Sequence, residues 1–136
     1  MNIRFIIIII LSSLLFVSCT NKKEKAYDAM DAGKKKFYAN DLNGAVKDFT
    51  KALEQNPGFD QALFFRANTF YNLRKNDSAL ADYNKCIEVS PDFADAYANR
   101  GSLKFDQGDR DGACLDWHKA KELGNQQMGE RLQNCP

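Results

Sequence analysis

Cys114 and His118 are the pair whose types and spacing come nearest to reactive chemistry. Four residues apart, they fall on one face of a helix, where a thiol and an imidazole can share a metal ion or form an activated thiolate. Two ligands do not complete a metal site, however, and His118 is the only histidine in the chain. No Ser–His–Asp set, phosphate-cradling glycine loop or dinucleotide fingerprint accompanies them. The Gly108-Asp109 pair reads as turn chemistry, not as a metal loop. The expectation is a protein that is not an enzyme, with no catalytic residues, no metal, no cofactor and no small-molecule substrate.

Charge excludes a further class. Lys and Arg number 19 against 18 Asp and Glu. Without residues 1–18 only Arg4 is lost, leaving eighteen of each sign. No basic field remains that would displace counterions from a nucleic-acid backbone, so nucleic acid is not an expected partner. With 44% hydrophobic residues the chain has the material for one folded domain and is not disordered throughout.

The first residues do not belong to that domain. Arg4 gives a short positive start, and Phe5 to Val17 is apolar apart from Ser12 and Ser13. A helix of that length spans roughly 20 Å, less than the roughly 30 Å of a bilayer's hydrocarbon core. It fits the apolar region of an export signal better than a permanent span, an uncleaved anchor being the alternative. Phe16-Val17-Ser18-Cys19 resembles the lipobox of bacterial lipoproteins, although Phe16 stands where leucine is usual. The resemblance implies a signal peptide over 1–18 and a lipidated Cys19, carrying diacylglycerol on its thiol and a further acyl chain, such as palmitate, on its new amine. One chain binds a membrane marginally, whereas two or more hold firmly. Residues 19–25 then form a short polar tether. Thr20, where aspartate would signal inner-membrane retention, implies the outer membrane, with the periplasmic face and the cell surface both open.

Beyond the tether one period governs the chain. Ala45, Ala79 and Ala113 lie 34 residues apart, and in the same register stand Gly33, Ala67 and Gly101. Phe49, Tyr83 and Trp117 follow, then Ala52, Cys86 and Ala120, then Pro57 and Pro91. Each unit contains two apolar-periodic segments joined by a polar turn, at Asn40-Asp41, Lys75-Asn76-Asp77 and Gly108-Asp109. Asn or Gly ends the first helix in a left-handed residue and Asp or Asn caps the second. Arg74 takes the place of Asn40 and Gly108, so the middle turn is expected to be less well formed. Small residues let paired helices approach, aromatics fill the space between units, and the prolines separate one hairpin from the next.

This pattern resembles the tetratricopeptide repeat over about Ala26 to Asn125. The expected fold is all-α: three helix-turn-helix repeats (26–59, 60–93, 94–125) stacked as a short right-handed solenoid, then a capping helix and tail over 126–136. Helices are expected at about 25–38, 42–55, 60–73, 77–89, 94–106 and 110–122. In the cap, Met128 and Leu132 are four apart and expected to face inward.

In arrays of this family the first helix of each hairpin lines a concave face. The resemblance therefore implies a protein-binding groove built from Tyr27, Met30, Lys34, Phe37 and Tyr38. It adds Gln61, Phe64, Asn68, Tyr71 and Asn72 from the second repeat and Asp95, Ala98, Ser102, Phe105 and Asp106 from the third. Phe37, Tyr71 and Phe105 make an aromatic ladder that either contacts a ligand or packs as core. The family's two-carboxylate clamp is not convincingly present, because Lys34 and Asn68 occupy matching sites but Ser102 breaks the series.

Four cysteines then need accounts. Cys19 is the lipid site, and Cys86 takes an alanine position as a small buried thiol. Cys114 and Cys135 remain, and in an oxidising compartment a disulfide between them would pin the cap to the last hairpin. The function expected is a membrane-anchored adaptor of the cell envelope that binds a protein or peptide in its groove. The alternative is a structural component that assembles through its convex face or its ends.

Overall fold

The computed structural model describes the backbone of residues 3–135 and the side chains from Asn21 onward except Asn134 and Pro136. The lipid site expected at Cys19 thus lies outside the described side chains. Every described element is helical: α1 (Ile3–Tyr38), α2 (Leu42–Gln55), α3 (Asp60–Asn72), α4 (Asn76–Val89), α5 (Ala94–Asp106), α6 (Arg110–Glu122), α7 (Met128–Arg131) and a 3-10 turn (Leu132–Asn134). Helices pair as α1 with α2, α3 with α4 and α5 with α6, and each pair stacks on the next, which is the three-repeat solenoid read from the sequence.

Two expectations need correction. The first helix begins at Ile3, not near residue 25, because no glycine or proline interrupts the chain between Ile3 and Ala32. The cap is shorter than a helix over 126–134. Gly124 adopts φ +98°, and Asn125 donates its N–H back to the Ala120 carbonyl and accepts from the Gln127 N–H at its own side-chain oxygen. Only the single turn α7 and the 3-10 turn follow. Met128 is nonetheless buried, with Leu132 packed beside it, so the inward face is as expected.

The hairpin turns share one backbone design. Asn40, Arg74 and Gly108 have φ of 62°, 59° and 87°. The next N–H in each case returns to a carbonyl in the last helical turn: Asp41 to Lys36, Lys75 to Phe70, Asp109 to Lys104. Asp41 and Asp109 cap the following helix by accepting from the N–H groups of Gly44 and Gly112, both at 2.9 Å. Lys75 provides no such cap. The middle turn is therefore closed like the others but carries a strained arginine and an uncapped helix.

Packing within hairpins follows the small residues. A Cβ on Gly33 would stand 2.6 Å from the Phe49 ring, and one on Gly101 would stand 2.7 Å from the Trp117 indole. In the middle repeat Ala67 faces Tyr83, whose hydroxyl donates to Asn68. Phe49 and Tyr83 are fully buried, each stabilising the fold by about 2–3 kcal/mol relative to exposure.

A second 34-residue register carries charge. Asp48, Asp82 and Asp116 are all buried on the second helices. Arg66 and Arg100 each grip the aspartate of their own repeat and also reach back, to Thr50 and Asn84 respectively. Ala32 stands where the first arginine would be, and Lys36 and Lys51 pair with Asp48 instead. These arginines clamp one repeat to the next.

Candidate protein-binding groove

The inner faces of α3 and α5 and the C-terminal cap enclose a cavity of about 840 Å³, lined by Phe64, Asp95, Asn99, Ser102, Gln127 and Arg131 among others. A neighbouring cavity of about 300 Å³ shares Asn99, Ser102 and Arg131 and adds Phe37, Asn68, Tyr71 and Asn72. Tyr71 and Asn72 also line a third cavity, of about 370 Å³, with Asn40, Arg74 and Asp106. A groove therefore runs along the first helices of the repeats, and the cap forms one wall.

Its chemistry is mainly that of amides and hydroxyls. The Asn68 side-chain oxygen accepts from the Tyr83 hydroxyl and, at 2.8 Å, from the Asn99 amide, which ties the groove floor to the core. Ser102 donates to the Ala98 carbonyl at 3.0 Å. The Tyr71 hydroxyl donates to Asp106. Burial first, and then that carboxylate, push the Tyr71 phenol above its ordinary range, so it stays a donor at neutral pH. Asp95 accepts from Asn125 at 2.8 Å, joining α5 to the cap's approach.

The groove residues expected from the sequence divide into several groups. Phe37, Phe64, Asn68, Tyr71, Asn72, Asp95, Ala98, Ser102 and Asp106 line these cavities. Phe64 is half-buried, 5.0 Å from the Phe93 ring, so it serves core and groove together. Tyr27 and Tyr38 are exposed at 51% and 73%, but they sit on the first repeat outside those linings. Lys34 holds its ammonium 5.3 Å from the Phe65 ring. Met30 is a correction: it is 2% exposed within the core formed with Phe49 and Leu53 and offers no contact surface. Phe105 is a correction too. Its ring packs 5.5 Å from Trp117 and faces a separate cavity at the end of the array.

Asn99 and Arg131 are groove residues that the sequence reading passed over. Asn99 lies one residue beyond Ala98 on the same helix, within the uncertainty of assigning a face. Arg131 lies outside the 34-residue register, so no periodic signal pointed to it.

The cysteines complete the wall. Cys114 and Cys135 are joined in the structure with Cα atoms 5.6 Å apart, which ties the tail beyond Arg131 to α6. Cys86 is fully buried, and burial, then Asp60 and Asp82, push its thiol up to about 12. Its Sγ donates to the Asp60 carbonyl. Among the described residues no group of three His, Cys, Asp or Glu side chains is placed to hold a metal ion.

Comparison with known proteins adds to this geometry. Residues 30–86 match the family described as tetratricopeptide repeat, and residues 67–108 match a second described as TPR repeat. Residues 30–108 thus match tetratricopeptide repeats. The repeat fold is also that of solved structures. The first TPR of Spaghetti (RPAP3), bound to the HSP90 peptide SRMEEVD, is 24% identical with TM-score 0.78, covering 82% of this chain and 90% of that one. The Arabidopsis OM64 TPR domain is 22% identical with TM-score 0.78, covering 82% and 97%. The TPR2B domain of yeast Sti1, in its pHsp70 complex, is 24% identical with TM-score 0.77, covering 81% and 94%. Comparison with curated protein sequences gives no match. Tetratricopeptide repeats are interaction modules rather than catalytic folds, in keeping with a groove of amides and aromatics.

Proposed function

We propose that the protein is a lipid-anchored interaction module of the bacterial cell envelope that binds a partner's polypeptide segment in the groove. The observation that carries this reading is the continuous channel through Asn68, Asn72, Asn99, Ser102 and Arg131. Amide side chains both donate and accept, which suits the backbone of an extended or helical segment. Phe37, Phe64 and Tyr71 supply apolar surface beside them. Two of the similar solved structures hold peptides of HSP90 or Hsp70 in related folds. Here Ser102 breaks the clamp series that Lys34 and Asn68 would begin for a C-terminal carboxylate, so the reading is an internal segment.

The anchor rests on Phe16-Val17-Ser18-Cys19 and on the apolar run before it. Removal of residues 1–18 would leave α1 starting at the lipid and continuing directly into the first repeat. The groove would then be held near the outer membrane, within reach of envelope proteins. Incorporation of labelled palmitate, lost in a Cys19→Ser variant, tests the anchor independently of the groove.

The binding test is capture from a solubilised envelope extract, comparing the chain from residue 20 onward with an Asn72→Ala/Ser102→Leu variant of equal helicity. A protein retained by the first and lost by the second supports the groove. Equal retention would instead favour assembly through the outer surface, where Leu115 is 72% exposed.

A further inference from the structure

At the end of the array a different cavity, of about 450 Å³, lies between the third repeat and the cap, lined by Phe105, Arg110, Cys114, Trp117 and Arg131. Its floor is aromatic, with the Phe105 and Trp117 rings 5.5 Å apart, and Phe105 is 45% exposed. Its rim is cationic. The Arg110 guanidinium stands 5.9 Å from the Phe105 ring and that of Arg131 5.4 Å from the Trp117 ring.

Among the described residues no carboxylate side chain lines this cavity. Of the acids nearby, Asp106 accepts from Tyr71, Asp109 from the Gly112 N–H, and Asp116 pairs with Arg100 and Lys104, while Asp111 and Glu130 adjoin the two arginines in sequence without lining the cavity. Among the described residues no ion pair engages Arg110 or Arg131. The two guanidiniums therefore stand over the aromatic floor with no described carboxylate side chain in the cavity lining. Guanidinium forks recognise carboxylates, and ring faces take up flat apolar groups.

We infer that this end cavity is a second docking site, adjoining the groove at Arg131, for an acidic polypeptide segment carrying an aromatic residue beside its carboxylate. The aromatic side chain lies on Phe105, and the acid is held between Arg110 and Arg131. The cavity opens at the surface and shares Arg131 with the groove, so the segment's backbone can pass across it. A polypeptide fits this better than a free small acid.

The chain contains one tryptophan, Trp117, so its emission reports directly on the cavity. The experiment titrates the full chain in mild detergent with the blocked peptide acetyl-Gly-Phe-Glu-Gly-amide and with its glutamine twin, by Trp117 emission and by equilibrium dialysis. The expected result is saturable binding of the glutamate peptide, weakened about tenfold in the glutamine twin and about tenfold by Arg110→Gln. Asn72→Ala, in the groove, leaves it unchanged. Arg110 is exposed, and circular dichroism checks that its variant keeps its helicity. Absence of binding by both methods overturns the proposal, as does equal affinity for the two peptides or for the Arg110→Gln variant. N-acetylphenylalanine binding as tightly as the glutamate peptide overturns the polypeptide assignment.

Discussion

Arg66 holds Asp82 through two parallel hydrogen bonds, Nε to Oδ2 at 2.7 Å and Nη2 to Oδ1 at 2.8 Å, while its remaining amino group donates to Thr50 of the preceding repeat at 3.1 Å. One side chain thereby joins both helices of its own hairpin and the hairpin before it. Arg100 repeats the arrangement with Asp116 and Asn84.

Removing one partner strands a largely buried charge. Asp82→Ala is expected to lower the unfolding free energy by about 3 kcal/mol, measured by urea denaturation. The double replacement Arg66→Met/Asp82→Leu should cost distinctly less, because neither charge is then left alone. Equal losses in the two variants would contradict the clamp.

The middle turn offers a gain. Arg74 pays for its left-handed φ of 59° with steric strain that glycine avoids, and Lys75 leaves α4 without the side-chain cap present at Asp41 and Asp109. Arg74→Gly is expected to stabilise by about 1 kcal/mol and Lys75→Asp by about 1 kcal/mol. Thermal melts of each variant check this, and a fall in Tm for Lys75→Asp would count against the capping account.

Thiol counting tests the cysteine assignments. In the chain from residue 20 onward, alkylation without reductant should label no cysteine in the native state and only Cys86 after unfolding. Cys86 is buried with its thiol pushed up to about 12, and Cys114 is bonded to Cys135. Reduction followed by unfolding should expose all three. Loss of the bond through Cys114→Ser is expected to cost about 3 kcal/mol in stability, by the loop-closure argument.

Alkaline pH should destabilise the fold. Cys86 has an ordinary value of 9.0 and is raised to about 12 by burial, and Tyr83 is shifted upward from 10.0 for the same reason. Groups raised on folding contribute stability that is complete below their unfolded values and is lost as pH climbs towards the folded ones. Tm should therefore fall steadily from about pH 9 upward. Cys86→Ala should flatten the first part of that decline, and identical curves for the two proteins would contradict the assignment.

The repeat architecture was legible because its cause is local and periodic. Small residues at Gly33, Ala67 and Gly101 and aromatics at Phe49, Tyr83 and Trp117 recur every 34 residues, since each hairpin solves the same packing problem. The same period also held the buried carboxylates Asp48, Asp82 and Asp116, although an acidic residue on a helix ordinarily reads as solvated surface. The balanced charge argues against a nucleic-acid partner, and the lipid anchor is a reading that rests on the residues around Cys19 alone.

Tertiary structure decided what the period could not. Met30 and Phe105 carry apolar side chains at plausible groove positions, but the packing of neighbouring helices sends one into the core and the other to the end cavity. Arg131 follows the last repeat, and only the turn at Gly124 and the approach of Cys135 to Cys114 bring it over Trp117 and into the groove wall. Sequence by itself determined the repeating hairpin, because neighbours along the chain dictate it. Which side chains meet across the groove was decided by the stacking angle of whole hairpins and by the path of the tail, and these depend on contacts between distant residues.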